Sequence, residues 1–225
     1  MEAARRYRGL GVAAGLGLVL SGCAPGAPAD EPCLDPAGRL IAHVNNDEYP
    51  DAVTGTEGIG EELRIAFGEE SGFGEPRAPR DLVGFIHRYQ DDFYAAVADF
   101  DGDGWLDLAI AASEEITGDS PGRSPVTELR MGPISGWGRG QETHSLLEVH
   151  MRGLRAVDYD GNNRPDLALH GYEGDGSYAV RGYEGDQEEG LSYRNEHYEM
   201  YAPGWAEDDL PPPLDMDGFY PACGA

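Results

Sequence analysis

The sequence predicts an all-β fold, a β-propeller-like array of about four blades forming a small or incomplete ring. Three observations predict it. A loop motif rich in aspartate and glycine recurs along the chain, its strong copies are flanked by short apolar runs of β-favouring residues, and no long stretch shows the 3.6-residue periodicity of an amphipathic helix. Charge, cysteine usage and the ends of the chain bound the reading further.

The first residues carry Arg5, Arg6 and Arg8, followed by an apolar run from Leu10 to Leu20. A charged start and a short greasy core make a secretory signal, and the run falls short of the roughly 20 apolar residues a spanning helix needs. Leu20-Ser21-Gly22-Cys23 resembles the bacterial lipobox, in which the cysteine is lipidated and becomes the mature N-terminus. An ordinary cleaved signal followed by a chance cysteine is the alternative. The expected organisation is a lipoprotein signal over 1–22, a lipidated Cys23 with a Pro/Ala/Gly-rich tether through 34, and a repeat domain over 35–225. The expected location is the extracytoplasmic face of a bacterial membrane, with the membrane itself as one partner through the lipid.

Loss of residues 1–22 removes three of 16 basic and one of 42 acidic residues, leaving 13 against 41 and a formal charge of about −28. Such a surface excludes nucleic acid as a partner. Extreme acidity favours disorder, but 40% hydrophobic content with 12 tyrosines and 3 tryptophans is enough for a core. With Cys23 lipidated, Cys33 and Cys223 remain as an even pair in an oxidising compartment, and a disulfide between them would close almost the whole domain into one loop.

The best copy of the repeat is Val97-Ala98-Asp99-Phe100-Asp101-Gly102-Asp103-Gly104-Trp105-Leu106-Asp107-Leu108-Ala109-Ile110. The second, Ala156 to Leu169, aligns with it without a gap. A weaker copy runs from Ile41 to Val53, so the loops start at His43, Asp99 and Asp158, in steps of 56 and 59 residues. A decayed fourth copy, Asp215 to Ala222, falls about one step further on, with Pro213 and Pro221 at its first and last ligand positions. Further strand-like pieces correspond between copies: Glu62 to Gly68, Glu128 to Gly132 and Ser177 to Gly182. A period of this length holding several strands matches one four-stranded propeller blade.

In the best copy, carboxylates occupy loop positions 1, 3, 5 and 9, as Asp99, Asp101, Asp103 and Asp107, and Trp105 at position 7 would add its backbone carbonyl. Alternation brings short oxygen ligands to one side of a turn, the hard-oxygen shell that Ca²⁺ prefers. Asp158, Asp160, Asn162, the Arg164 carbonyl and Asp166 form the equivalent set. An EF-hand would need a glutamate at position 12 and flanking helices, whereas position 12 is Ile110 or Leu169 between strands. A bare turn between strands is the simpler reading of such loops, but four carboxylates within nine residues repel one another without a cation. In the first copy His43 replaces the leading carboxylate and Glu48 stands at the glycine-like position. Asn45, Asp47 and Asp51 are therefore weaker ligand candidates, and a retained turn is favoured there. Two structural Ca²⁺ ions are expected, or three if the first loop is counted.

These copies resemble FG-GAP repeats, also described as VCBS repeats, known from the propeller of integrin α chains and from bacterial surface proteins. The resemblance covers roughly residues 35–222 and is specific in two copies. It implies blades of FG-GAP type in which the Asp-rich loops hold Ca²⁺ structurally. Family propellers often have seven blades, and about three and a half periods here imply a small ring, an open partial ring, or a ring completed by another copy of the chain, so that the protein is a monomer or a homo-oligomer.

No His-Glu-x-x-His zinc signature is present. His144 and His150 lack a third ligand at a metal-binding spacing and read as ordinary polar or half-buried residues. Trp105, Trp137 and Trp205, with Tyr172, Tyr183 and Tyr201, could form an aromatic platform, but packing between blades is the simpler expectation. The favoured function is a membrane-anchored, calcium-binding module that recognises a protein or carbohydrate ligand or organises the envelope. The alternative is a secreted hydrolase of phosphoesters or glycans with its active site on a propeller face. Binding is favoured over catalysis because the repeat leaves no room for a separate catalytic domain.

Overall fold

The computed structural model of the protein describes residues 31–116, 122–146, 149–187, 190–192, 200–202 and 210–224. The signal, Cys23 and Trp205 lie outside them, as does the side chain of Tyr201. Among the described residues no helix is long and apolar enough to cross a membrane.

Three of the four repeat copies each build a four-stranded antiparallel run. The first contains β1 (Cys33–Leu34), β2 (Leu40–Ala42), β3 (Asp51–Thr54) and β4 (Arg64–Ala66), in that spatial order. A two-stranded hairpin follows, β5 (Gly68–Glu69) and β6 (Gly72–Phe73), and then a single helical turn, α1 (Pro79–Leu82). The second sheet contains β7 (Asp92–Ala98), β8 (Asp107–Ser113), β9 (Val126–Arg130) and β10 (Thr143–Ser145). The third contains β11 (His150–Val157), β12 (Asp166–Gly174), β13 (Ser177–Asp186) and β14 (Gly190–Ser192), with β15 (Met200–Ala202) pairing beside β14 along β13. Among the described residues no sheet closes on itself. The correspondences read between copies are β4, β9 and β13, the strand that follows the loop-bearing hairpin in each run. The first strand among the described residues, β1, falls within the stretch read as tether.

The second sheet is covered on both faces, which explains its unusual sequence. All seven residues of β8 are buried, and the run Leu108-Ala109-Ile110-Ala111-Ala112 lacks polar alternation, as expected of a strand without a wet face. Period-two geometry sorts its side chains. Leu108, Ile110 and Ala112 join Ala95 and Val97 in a core with Leu40, Ala42, Val53 and Ile65 of the first sheet. Ala109 and Ala111 join Tyr94, Ala96 and Ala98 in a core with Met151, Leu154, Ala156, Leu167 and Leu169 of the third. The alanines of β7 let it pack closely against β11.

The edges of β7 and β11 are covered by the loop between β3 and β4. The Ala95 amide donates to the Gly60 carbonyl at 3.0 Å and the Leu154 amide to the Ile59 carbonyl at 2.8 Å. This removes exposed ladder groups that would otherwise invite pairing with another strand. The chain at Gly60 has φ of 101°, and a Cβ there would lie 2.8 Å from the Ala95 carbonyl oxygen, so only glycine serves.

The C-terminal segment differs from the expectation of a decayed hairpin. Residues 211–215 form no strand or helix, Asp215 precedes a turn α2 (Met216–Phe219), and Ala222 forms a parallel bridge with Leu34. Pro211, Pro212, Pro213 and Pro221 withhold the N–H groups a hairpin ladder would need. The segment instead runs from the third sheet back to the first. The Leu214 amide bonds the Ala156 carbonyl at 3.0 Å, Arg155 donates to the Pro211 carbonyl at 2.8 Å, and the Leu34 and Cys223 backbones pair with Pro221 and Leu34. Cys33 and Cys223 form a disulfide with Cα atoms 4.9 Å apart across 190 residues of sequence, as expected from the count of cysteines.

Candidate metal centre

Each repeat loop joins the first and second strands of its hairpin, and all three copies share one pattern of hydrogen bonds. The side-chain oxygen at position 3 accepts the amide of position 5: Asn45 from Asp47 at 3.2 Å, Asp101 from Asp103 at 3.0 Å and Asp160 from Asn162 at 2.9 Å. The oxygen at position 5 accepts the amide of position 7: Asp47 from Tyr49 at 2.8 Å, Asp103 from Trp105 at 2.8 Å and Asn162 from Arg164 at 2.7 Å. These are successive turns in which Asn and Asp bond the backbone two residues on, which is why both residue types alternate along the motif. Positive φ is needed within the turn and is met by Gly102 (74°), Gly104 (94°), Gly161 (69°) and Asn163 (65°).

Position 9 does something different. Asp51, Asp107 and Asp166 are 0–1% exposed. One oxygen of each accepts the amide of loop position 2: Val44 at 2.6 Å, Phe100 at 3.0 Å and Tyr159 at 2.7 Å. The other accepts the amide of a glycine two residues beyond where the following strand's pairing with the hairpin ends: Gly68 at 2.7 Å, Gly132 at 2.8 Å and Gly185 at 2.9 Å. The ninth aspartate thus clamps the loop to the strand that follows its hairpin. A Cβ on Gly132 would sit 2.6 Å from Cβ of Trp105, so the clamp also requires its glycine.

In the second and third copies the acids at positions 1, 3 and 9 converge. Ligand oxygens of Asp99, Asp101 and Asp107 lie within 4.8 Å of one another, as do those of Asp158, Asp160 and Asp166. Two oxygens on one Ca²⁺, each about 2.3–2.6 Å from it, can be at most about 5 Å apart, so both trios fit a single ion. Asp103 and Asn162 stand beside these trios, engaged with the amides of Trp105 and Arg164. Trp105 and Arg164 hold position 7 in the backbone, where a carbonyl can complete the shell. The first copy keeps the turn but brings no such trio together: His43 occupies position 1, and Asn45 Nδ2 bonds Asp47 at 2.7 Å.

Electrostatics mark the two converged loops. Burial pushes the Asp107 carboxyl up to about 8, and the charges of Asp101 and Asp99 push the same way. Burial pushes Asp99 to about 6, aided by Asp101 and Asp103. Burial also raises Asp166, with Asp160 and Asp158 adding to it. A divalent ion relieves both burial and like-charge repulsion.

The remaining candidate residues separate. Trp105, Tyr172 and Tyr183 are buried in packing, whereas Trp137 is 70% exposed. His144 and His150 belong to different sheets. His150 is buried at the end of the sheets opposite the acidic loops, beside a cleft of about 630 Å³ lined also by Ser124, Tyr172 and Glu173, and burial lowers its pKa. Gly118-Asp119-Ser120-Pro121-Gly122 has the Gly-x-Ser-x-Gly spelling of a hydrolase nucleophile elbow. That elbow is a strand-to-helix turn, whereas this segment joins strands β8 and β9, and Ser120 lies outside the described residues. The spelling therefore lacks its context.

Searches of curated proteins and of solved structures found no significant match. The family model of the FG-GAP repeat matches residues 95–126. The match spans most of β7, the loop carrying Asp99, Asp101 and Asp107, and all of β8. Over residues 95–126 the chain is thus similar to an FG-GAP repeat.

Proposed function

We propose that this protein is an exported, calcium-braced binding module. Cys23 carries a lipid that anchors it to the extracytoplasmic face of a bacterial membrane, and the following residues act as a tether. The repeat sheets form a small propeller-like array that the C-terminal segment and the disulfide hold together. The observation that carries this reading is the pair of acidic trios on equivalent hairpins, one of them inside the matched FG-GAP repeat. When bound, Ca²⁺ supplies charge neutralisation within each loop. Asp99, Asp101 and Asp107 would hold one ion and Asp158, Asp160 and Asp166 the other, with Asp103, Asn162 and the carbonyls of Trp105 and Arg164 as neighbouring oxygen donors.

Titration of the purified domain with Ca²⁺ by calorimetry tests the metal sites, with two ions per chain expected and no binding heat overturning the reading. Metabolic labelling with a radioactive fatty acid tests the anchor, since Cys23→Ala should abolish incorporation. Turnover of ester, phosphoester or glycan substrates by the same domain would replace the binding role with the hydrolase alternative.

A further inference from the structure

The perimeter between the first and second sheets carries an exposed aromatic and arginine surface. Phe85, Ile86 and Tyr89, in the segment between α1 and β7, are 69%, 75% and 70% exposed, and Trp137, in the turn between β9 and β10, is 70% exposed. Phe85 and Trp137 face a groove of about 570 Å³ with Arg139, and a second hollow of about 330 Å³ shares Gly84, Trp137 and Arg139 with it. Large apolar side chains grouped in this way mark interaction sites far more often than single exposed ones do.

Several arginines of this surface have no carboxylate partner among the described residues. The chain has 42 acidic residues, 16 basic residues and no lysine. Arg39, Arg130, Arg152 and Arg181 are each paired with a carboxylate. Arg77, Arg88 and Arg139 have no carboxylate partner among the described residues. Two of them lie over aromatic rings instead: Arg88 over Phe85 at 4.1 Å and Tyr89 at 4.9 Å, and Arg77 over Trp137 at 5.7 Å. Guanidinium groups left over rings, in a chain with acids to spare, are available to a carboxylate from outside.

We propose that this groove docks an acidic polypeptide segment bearing an apolar anchor, with Arg139 and Arg88 receiving its carboxylates and the space between Phe85 and Trp137 receiving the anchor. Three features choose this occupant. Unpaired arginines complement acidic side chains, and Trp, Tyr and Arg are the residue types that dominate binding at interfaces. A bilayer would meet a flat patch better than a concave one. The proposal rests on the binding-module reading and names its partner chemistry.

The test uses the calcium-loaded domain and a fluorescent peptide that alternates glutamate with leucine and tryptophan, beside versions with serine or lysine in place of glutamate. Anisotropy should show the acidic peptide binding more tightly than both. Trp137→Ala and Arg139→Glu, both at exposed positions, should each weaken it about tenfold or more, the loss expected of a central interface residue. Equal affinity for the serine peptide, or unchanged affinity in both variants, overturns the proposal. So does binding to anionic phospholipid vesicles, or self-association of the domain, that these variants abolish while peptide affinity stays negligible. The calcium-induced rise in melting temperature is measured on the same samples. A normal rise without peptide binding sinks the docking alone, whereas no rise in the unmutated domain sinks the calcium-braced module.

Discussion

Asp107 Oδ1 accepts the Gly132 amide at 2.8 Å across 25 residues of sequence, while its other oxygen holds the Phe100 amide at 3.0 Å. Asp51 and Asp166 make the same pair of contacts in the other two repeats, whether or not their loop gathers a trio of acids. The ninth aspartate therefore has a structural duty separable from metal binding.

That separation can be measured at Asp51. Asp51→Ala leaves the Val44 and Gly68 amides buried without partners, which should cost about 2–4 kcal/mol of unfolding free energy. Urea unfolding reads the loss. The calcium-induced rise in melting temperature should be preserved, and a diminished rise would assign Asp51 to a metal site.

The two converged loops should act as independent calcium sites. Asp101→Asn and Asp160→Asn keep an oxygen for the turn but remove a ligand charge. Each should remove one of two binding events in calorimetry, and the double variant both. At a hundredfold excess of Ca²⁺ over Kd, each occupied site stabilises the fold by about 2.7 kcal/mol. Equal calcium responses in the double variant and the unmutated domain would rule out both loops.

Proton linkage follows from the raised carboxyls. Asp107 sits at about 8 and Asp99 at about 6 against an ordinary 3.8, so the folded metal-free domain holds protons that the unfolded chain releases. Metal-free stability should therefore fall as pH climbs from about 4 to about 8. Calcium needs these groups ionised, so its affinity should rise over the upper part of that window. Calorimetry near neutral pH in buffers of differing ionisation enthalpy should detect proton release on binding. A binding enthalpy indifferent to buffer contradicts the buried, protonated Asp107.

The disulfide ties β1 to the end of the C-terminal segment across 190 residues. Replacing Cys33 and Cys223 together by serine should lower stability by about 2–5 kcal/mol, chiefly by freeing the unfolded chain. Calcium stoichiometry should stay at two, because neither acidic trio touches the bridge. An unaltered melting temperature would show that hydrogen bonds between Leu34 and residues 221–223 hold the ends without it.

The hairpins were legible in the sequence because their chemistry is local. Asn and Asp at alternate positions bond amides two residues away, glycine and Asn163 supply positive φ, and apolar runs on either side pair across the loop. The same local spacing identified the acids of both trios and predicted a poorer first loop. Counting cysteines found the bridge between Cys33 and Cys223. The second duty of Asp51, Asp107 and Asp166 was not legible, since their glycine partners lie 17–25 residues on and are chosen by how the strand after each hairpin returns. Nor was the path of residues 210–223, where prolines replace a hairpin with a clasp between the third and first sheets. Trp105 and Trp137 look alike as sequence, yet one packs beneath Gly132 and the other faces solvent beside Arg139. Burial is a property of neighbours brought together from distant parts of the chain, so it was decided only when the three sheets packed.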